Sequence, residues 1–181
     1  MTGSTYLYRT SARSTISWSL ISGALAGTLS AIGNTPTSGG TVYAGFSDGR
    51  IFRSDDAVIS PVTWTDVTGS IPAGVISDLA VDPAIRLRVF ATRSAFGGNK
   101  LYRSTTGGTT WSAVGNGLPD VPANSVAIDP VNRQRIFVAT DVGVYVSNGD
   151  NFVPQMSGLP QGTVVTDLEV DDAPHVLTAG T

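Results

Sequence analysis

The sequence predicts an all-β protein assembled from copies of one four-stranded unit. Two observations predict it: a phrase that recurs four times along the 181 residues, and a composition suited to short strands and tight turns. The phrase reads Leu7-Tyr8-Arg9-Thr10, Ile51-Phe52-Arg53-Ser54, Leu101-Tyr102-Arg103-Ser104 and Val144-Tyr145-Val146-Ser147. An aromatic residue follows each copy and opens a further short strand: Trp18, Trp64, Trp111 and, in the last copy, Phe152.

A second phrase precedes the later copies. It reads Asp78-Leu79-Ala80-Val81-Asp82-Pro83, Ser125-Val126-Ala127-Ile128-Asp129-Pro130 and Asp167-Leu168-Glu169-Val170-Asp171-Asp172. Each is followed by a strand ending in small residues: Val89-Phe90-Ala91-Thr92, Ile136-Phe137-Val138-Ala139-Thr140 and Val176-Leu177-Thr178-Ala179-Gly180. Residues around Ile32 and Val42-Tyr43-Ala44-Gly45 are a looser version. One unit therefore reads as strand A (Leu-Ala-Val), strand B (Val-Phe-Ala-Thr), strand C (Leu-Tyr-Arg-Ser) and strand D (from the aromatic). Apolar residues dominate A and B, as in strands covered on both faces. Four strands in about 45 residues is the blade of a β-propeller.

The expected domain is a single β-propeller over 1–181, with four four-stranded blades near 28–72, 73–119, 120–160, and 161–181 joined to 1–27. The chain starts at strand C and stops at strand B, so the two ends are expected to close a composite blade, with residues 5–10 beside 175–180. Two alternatives stay open: part of a larger ring, or two chains forming one eight-blade ring.

Composition narrows the function classes. Hydrophobic residues are 41% and charged residues 14%, too apolar for a disordered chain. Gly and Pro, 21 and 10 residues, are scattered as turn punctuation, while Lys100 and Glu169 are the sole Lys and Glu. The net charge of −3 and the lack of a basic run argue against nucleic acid. With no Cys, disulfides and thiolate metal sites are excluded. No apolar run approaches the roughly 18 residues of a membrane span. Met1-Thr2-Gly3-Ser4 lacks a signal-peptide pattern, and a removed leader leaves secretion open.

The stretch Ser104-Thr105-Thr106-Gly107-Gly108-Thr109-Thr110-Trp111 resembles an Asp-box, the Ser-x-Asp-x-Gly-x-Thr-Trp turn of BNR repeats, with Thr106 at the Asp position. Ser54-Asp55-Asp56 keeps the Asp, with an insertion before Thr63-Trp64. Ser11 through Trp18 has Arg13 at the Asp position, and Ser147-Asn148-Gly149-Asp150 is shortened. Together with the Asp-Pro, Ala-Thr, Tyr-Arg-Ser and Gly-Leu-Pro phrases, the chain resembles xyloglucanase-like glycoside hydrolases. It is also similar to photosystem assembly-factor-like, sialidase-like and sortilin-like propellers. The resemblance implies a propeller whose Asp-box side chains satisfy turn amides and whose Trp packs between blades. It implies little about activity, because such folds carry many.

Candidate chemistry lies on the face carrying the B-to-C and D-to-A connections. Asp78 and Asp167 share one repeat position near the start of strand A, and in a four-blade ring they face each other across the channel mouth. Paired carboxylates suit glycoside hydrolysis, one as acid and one as base or nucleophile. Asp48, Arg50 and Asp141 lie on B-to-C loops, and the longest such loop carries Arg93, Phe96 and Lys100, a mixture suited to a sugar or peptide. Asp82, Asp129 and Asp171 recur at the A-to-B turn as turn formers. Arg9, Arg53 and Arg103 are expected to bridge blades, and with one Glu a sialidase is disfavoured. The lone His175 is expected exposed, without partners for a triad or metal site. No phosphate loop or dinucleotide fingerprint occurs, and no cofactor is expected.

The leading expectation is a binding module presenting loops to a glycan or protein ligand, as a monomer or symmetric homo-oligomer. The alternatives are a glycoside hydrolase, or a fragment of one, using Asp78 and Asp167, and a structural repeat fragment without independent activity.

Overall fold

Strands form where the recurring phrases place alternating or continuous apolar residues between Gly- and Asp-rich turns. The computed structural model describes residues 4–10, 17–23, 25–35, 40–58, 61–148, 151–171 and 175–181. Along the chain run β1 (Ser4–Thr5), β2 (Tyr8–Arg9), β3 (Ser19–Leu20) and β4 (Leu25–Ala26). Next come β5 (Leu29–Asn34), β6 (Val42–Phe46), β7 (Ile51–Ser54) and β8 (Thr65–Asp66). They are followed by β9 (Val75–Val81), β10 (Val89–Ser94), β11 (Leu101–Ser104) and β12 (Ser112–Val114). The remainder are β13 (Ala123–Ile128), β14 (Ile136–Thr140), β15 (Gly143–Asn148), β16 (Asn151–Pro154), β17 (Asp167–Val170) and β18 (Leu177–Gly180).

Three antiparallel sheets are whole: β5-β6-β7-β8, β9-β10-β11-β12 and β13-β14-β15-β16. Their register repeats. Ala31 pairs with Gly45, Asp78 with Thr92 and Ser125 with Ala139, each beside a one-residue shift in the A–B ladder. The B strands carry the burial, because they are flanked by A and C and covered on both faces. Ala44, Phe46, Val89, Phe90, Ala91, Val138 and Ala139 are all buried. Tyr43 and Ile51 of the first sheet pack with Ile76, Leu79, Val89 and Trp111 of the second, so the core is shared between successive sheets.

Two half-sheets flank them, and β1 pairs separately with β4. β2 pairs with β3, supplying C and D, and β17 pairs with β18, supplying A and B. Leu7 and Ile21, on either side of the β2–β3 pair, pack against Ala44 and Phe46 of the first whole sheet. β17 stands beside β13, with Leu168 packed against Ala127 and Phe137. Among the described residues the expected composite sheet is not formed within the chain: β2–β3 and β17–β18 belong to separate sheets that share no ladder, and no sheet is closed.

The expectation of equivalent buried Trp side chains needs the same correction. Trp111 is buried and donates from Nε1 to the Val67 carbonyl of the preceding sheet at 2.8 Å. Half-buried Trp64 donates likewise to Ile21 at 2.9 Å. Trp18 is 65% exposed, and among the described residues no sheet precedes its half-sheet to cover it.

Candidate functional site

The longest B-to-C connection, between β10 and β11, is held by its own polar groups. Lys100 is buried, and its ammonium donates to the carbonyls of Gly97 (3.0 Å) and Gly98 (2.9 Å) and to Asp120 Oδ1 (2.6 Å). Those contacts use all three donors of the ammonium. Asp120 Oδ1 also accepts from the Gly97 amide at 2.6 Å. The Lys100 hydrogen bond, with the Gly97 amide, holds the Asp120 carboxyl below its ordinary pKa. Gly97 and Gly98 sit at φ 70° and 68°, a left-handed pair that glycine adopts without strain. Arg93 completes the brace, donating to Gly97 C=O at 3.1 Å and to Ala73 C=O at 2.9 Å. Phe96, at the tip, remains 71% exposed.

Beside this loop, the β12–β13 connection and the outer edge of β12 enclose an open cleft of about 600 Å³. Asn99, Lys100, Arg103, Asn116, Leu118 and Asp120 are among its walls. A concave surface with a few fixed polar groups suits a polar ligand; Phe96 is not one of its walls but lies two residues before Gly98, which is.

The remaining candidate binding residues lie on neighbouring turns of the same face and are internally paired. Asp48 and Arg50 form a 2.8 Å ion pair across the β6–β7 turn, and the Arg50 side-chain hydrogen bond lowers the Asp48 pKa. The turn abuts Ala73 and Gly74, the segment that Arg93 grips: a Cβ on Gly49 would lie 3.0 Å from Gly74 N. Asp141 accepts from Asn124 Nδ2 at 2.9 Å. Phe96 and Lys100 therefore share one loop with Arg93 at the end of β10 that enters it, Asp48 and Arg50 adjoin its brace, and Asp141 lies on the β14–β15 turn of the third sheet.

Asp78 and Asp167 meet differently from the expectation of opposed carboxylates. They stand on the strands flanking β13 and converge on Ser125, which holds the same repeat position between them. The Ser125 hydroxyl donates to Asp78 Oδ2 at 2.7 Å and lies 3.4 Å from Asp167 Oδ1. Asp78 also accepts from the amides of Val126 (2.9 Å) and Leu79 (2.7 Å), and Asp167 accepts from the Leu168 amide (2.9 Å). Burial raises the Asp78 pKa, the hydrogen bonds from Val126, Ser125 and Leu79 oppose the rise, and the Asp167 charge adds to it. Asp167 is exposed. The pair thus has one carboxyl that holds its proton more readily and one open to solvent.

On the opposite face, side chains are committed to making turns. Asp56 Oδ1 accepts from Thr63 N (2.9 Å) and Ser54 Oγ (2.8 Å). In the next sheet Thr106 Oγ1 accepts from Thr110 N at 2.9 Å, and Ser104 Oγ accepts from the amides of Thr106 and Gly108. A hydroxyl thus stands in for the carboxylate. The first copy's turn, with Arg13, lies outside the described residues. Asp82 accepts from the Ala84 and Ile85 amides, and Asp129 from those of Val131 and Asn132. Arg53 does bridge sheets, donating to Gly107 C=O at 3.1 Å. His175 is exposed, its side chain 41% so, and its Nε2 lies 2.9 Å from Asp129 Oδ1.

Sequence reasoning missed Asp120, Asn124 and Ser125. Ser125 was visible as the residue aligned with Asp78 and Asp167. Asp120 pairs with Lys100 across two strands and a loop, with no local signal.

The fold can be set beside solved structures. A GH74 enzyme from Niastella koreensis aligns with a TM-score of 0.65 and 22% identity, over 83% of this chain and 25% of that one. The GH74 xyloglucanase from Xanthomonas campestris aligns at 0.60 and 16%, over 83% of this chain and 28% of that one. The computationally designed Ika4 protein aligns at 0.58 and 12%, over 85% of this chain and 91% of that one. The chain thus spans about a quarter of the GH74 enzymes' length. No protein-family model and no curated protein sequence matches it. The fold is all-β, and the likeness to GH74 enzymes over a fraction of their length supports a propeller-type arrangement of its sheets.

Proposed function

We propose that this chain is a glycan-binding propeller module whose ligand lies in the cleft between the β10–β11 loop and the β12–β13 connection, against Phe96. The observation that carries the reading is the braced loop: Lys100, Arg93 and Asp120 are spent on fixing its backbone, while Phe96 is left 71% exposed. An aromatic presented on a rigid loop loses little entropy on binding and covers one face of a sugar ring, while the cleft's polar groups meet hydroxyls. The turns after β7 and β11 are read, in the same proposal, as Asp-box turns with a structural role. The xyloglucanase among the fold neighbours makes xyloglucan oligosaccharides the first ligand to try.

Hydrolysis is the second reading, favoured by the Asp78–Ser125–Asp167 cluster, where a carboxyl of raised pKa adjoins an exposed one. Isothermal titration with xyloglucan oligosaccharides distinguishes the two. Under the binding reading wild type binds without cleaving, and Phe96→Ala weakens affinity at least tenfold, about 1.4 kcal/mol, with unchanged thermal stability. Equal affinity of wild type and Phe96→Ala would contradict it. Release of new reducing ends that disappears in Asp78→Asn would instead support hydrolysis.

A further inference from the structure

The contacts between successive sheets repeat, and each series stops at an open end. Along the inner strands Ser30 Oγ donates to Ile76 C=O (2.6 Å), Ser77 Oγ to Ala123 C=O (2.6 Å) and Asn124 Nδ2 to Val165 C=O (2.9 Å). The residue at this position in the last half-sheet is Thr166, whose hydroxyl lies 3.2 Å from Gly180 C=O, as that of Ser30 does from Gly45 C=O. Along the outer strands, Trp64 and Trp111 each reach the carbonyl three residues beyond the aromatic position of the preceding sheet. By the C–D register, the carbonyl that continues this series after the third sheet is that of Gln155, and the indole that would reach it is Trp18.

The half-sheets also carry the marks of a missing neighbour. Tyr8 is 55% exposed, whereas Tyr102, its repeat equivalent, is 5% exposed. Strand β18 alternates between exposed and half-buried residues, whereas the B strand β14 is buried throughout. Among the described residues, the buried side-chain polar atoms without a hydrogen-bond partner are Arg9 Nε and Thr10 Oγ1, both at the β2 edge. Such atoms are costly unless something covers and pairs them.

One half-sheet supplies A and B, the other C and D, and within the chain they share no ladder. We propose that a second copy of this chain completes both. β18 of one protomer pairs antiparallel with β2 of its partner, and a two-fold axis repeats the junction, giving a ring of eight sheets. The whole sheets set the register: Thr92 pairs with Leu101, Ala91 with Tyr102, Phe90 with Arg103 and Val89 with Ser104. Transferred to the junction, Gly180 pairs with Leu7, Ala179 with Tyr8, Thr178 with Arg9 and Leu177 with Thr10. Trp18 is then buried against the third sheet of the partner. A second copy supplies each half-sheet with a ladder partner and leaves the sheet-to-sheet packing within each chain as it stands.

The test uses the whole chain. Sedimentation equilibrium of wild type at micromolar concentration is expected to give twice 18.7 kDa. The chain has no Cys, so Arg9→Cys and Thr178→Cys can be made in separate, differently tagged copies. After mixing and oxidation they are expected to form a disulfide-linked heterodimer, while neither variant alone does. Trp18→Ala is expected to weaken association at least tenfold, with the far-UV spectrum of the chain retained. A wild-type mass of one chain would overturn the proposal. So would a two-chain mass with no Arg9→Cys to Thr178→Cys cross-link, which would put the dimer on another surface.

Discussion

Replacing Trp111 with Ala is expected to cost about 3–5 kcal/mol, read as a shift of the urea midpoint at unchanged slope. The indole lies between two sheets, buried in the cluster that includes Tyr43, Val67, Ile71 and Val89. Its truncation removes one of the largest side chains of that cluster and opens a cavity. Collapse is limited because backbone lines both sides. Gly69 approaches so closely that a Cβ there would lie 3.0 Å from the indole, and Gly108 packs on Val67. The loss also strips Val67 C=O of its indole donor. Trp111→Phe should recover most of the packing and lose only the hydrogen bond, about 1 kcal/mol. A loss below about 1 kcal/mol for Trp111→Ala would show that the sheets do not depend on this contact.

Asp82→Ala is expected to cost about as much, 3–5 kcal/mol, for an electrostatic reason. The carboxylate is fully buried and faces Arg88 at 3.0 Å and Arg133 at 3.3 Å. Arg88 is itself only 11% exposed in its side chain, and burial lowers its pKa. Removing Asp82 would leave that guanidinium buried without a counter-charge, and the Ala84 and Ile85 amides without their acceptor. Stacking of Arg88 over Phe90, 5.3 Å to the ring centroid, and its hydrogen bond to Arg133 C=O recover only part of this. The double change Asp82→Ala with Arg88→Leu should be milder than Asp82→Ala alone, because no unpaired charge remains. If the double variant is the less stable, the buried-charge explanation is wrong.

Much of the fold was legible because the repeat fixes strands by local pattern. Ile51–Ser54 and Leu101–Ser104 are strands β7 and β11 with the bounds of the recurring phrase, and Val89-Phe90-Ala91-Thr92 opens β10. Alternation and continuous burial are properties of a few neighbouring residues, so a sequence carries them openly. Closure is not local. It depends on the rotation between successive sheets, set jointly by contacts such as Ser77 with Ala123 and Trp111 with Val67, and no single phrase encodes that angle. The same reason hid the site's geometry. Asp78 and Asp167 share a repeat position in the sequence, but their convergence on Ser125 follows from how three sheets stand side by side. Lys100 looked like a ligand-facing cation on a long loop. Its burial against Asp120 depends on a connection that arrives only after β12. Phe96, on the same loop, is exposed.

In the proposed function, ligand recognition belongs to the face of the braced loop, and the side chains of the opposite turns are committed to structure. An amide chemical-shift titration of the chain with xyloglucan oligosaccharides separates the two faces. The predicted shifts fall on Gly97, Gly98, Asn99, Asn116 and Gly117, around the cleft beside Phe96, and leave the Ser54–Asp56 and Ser104–Gly108 turns unmoved. Saturable shifts confined to those two turns, with the Gly97–Lys100 loop silent, would contradict it.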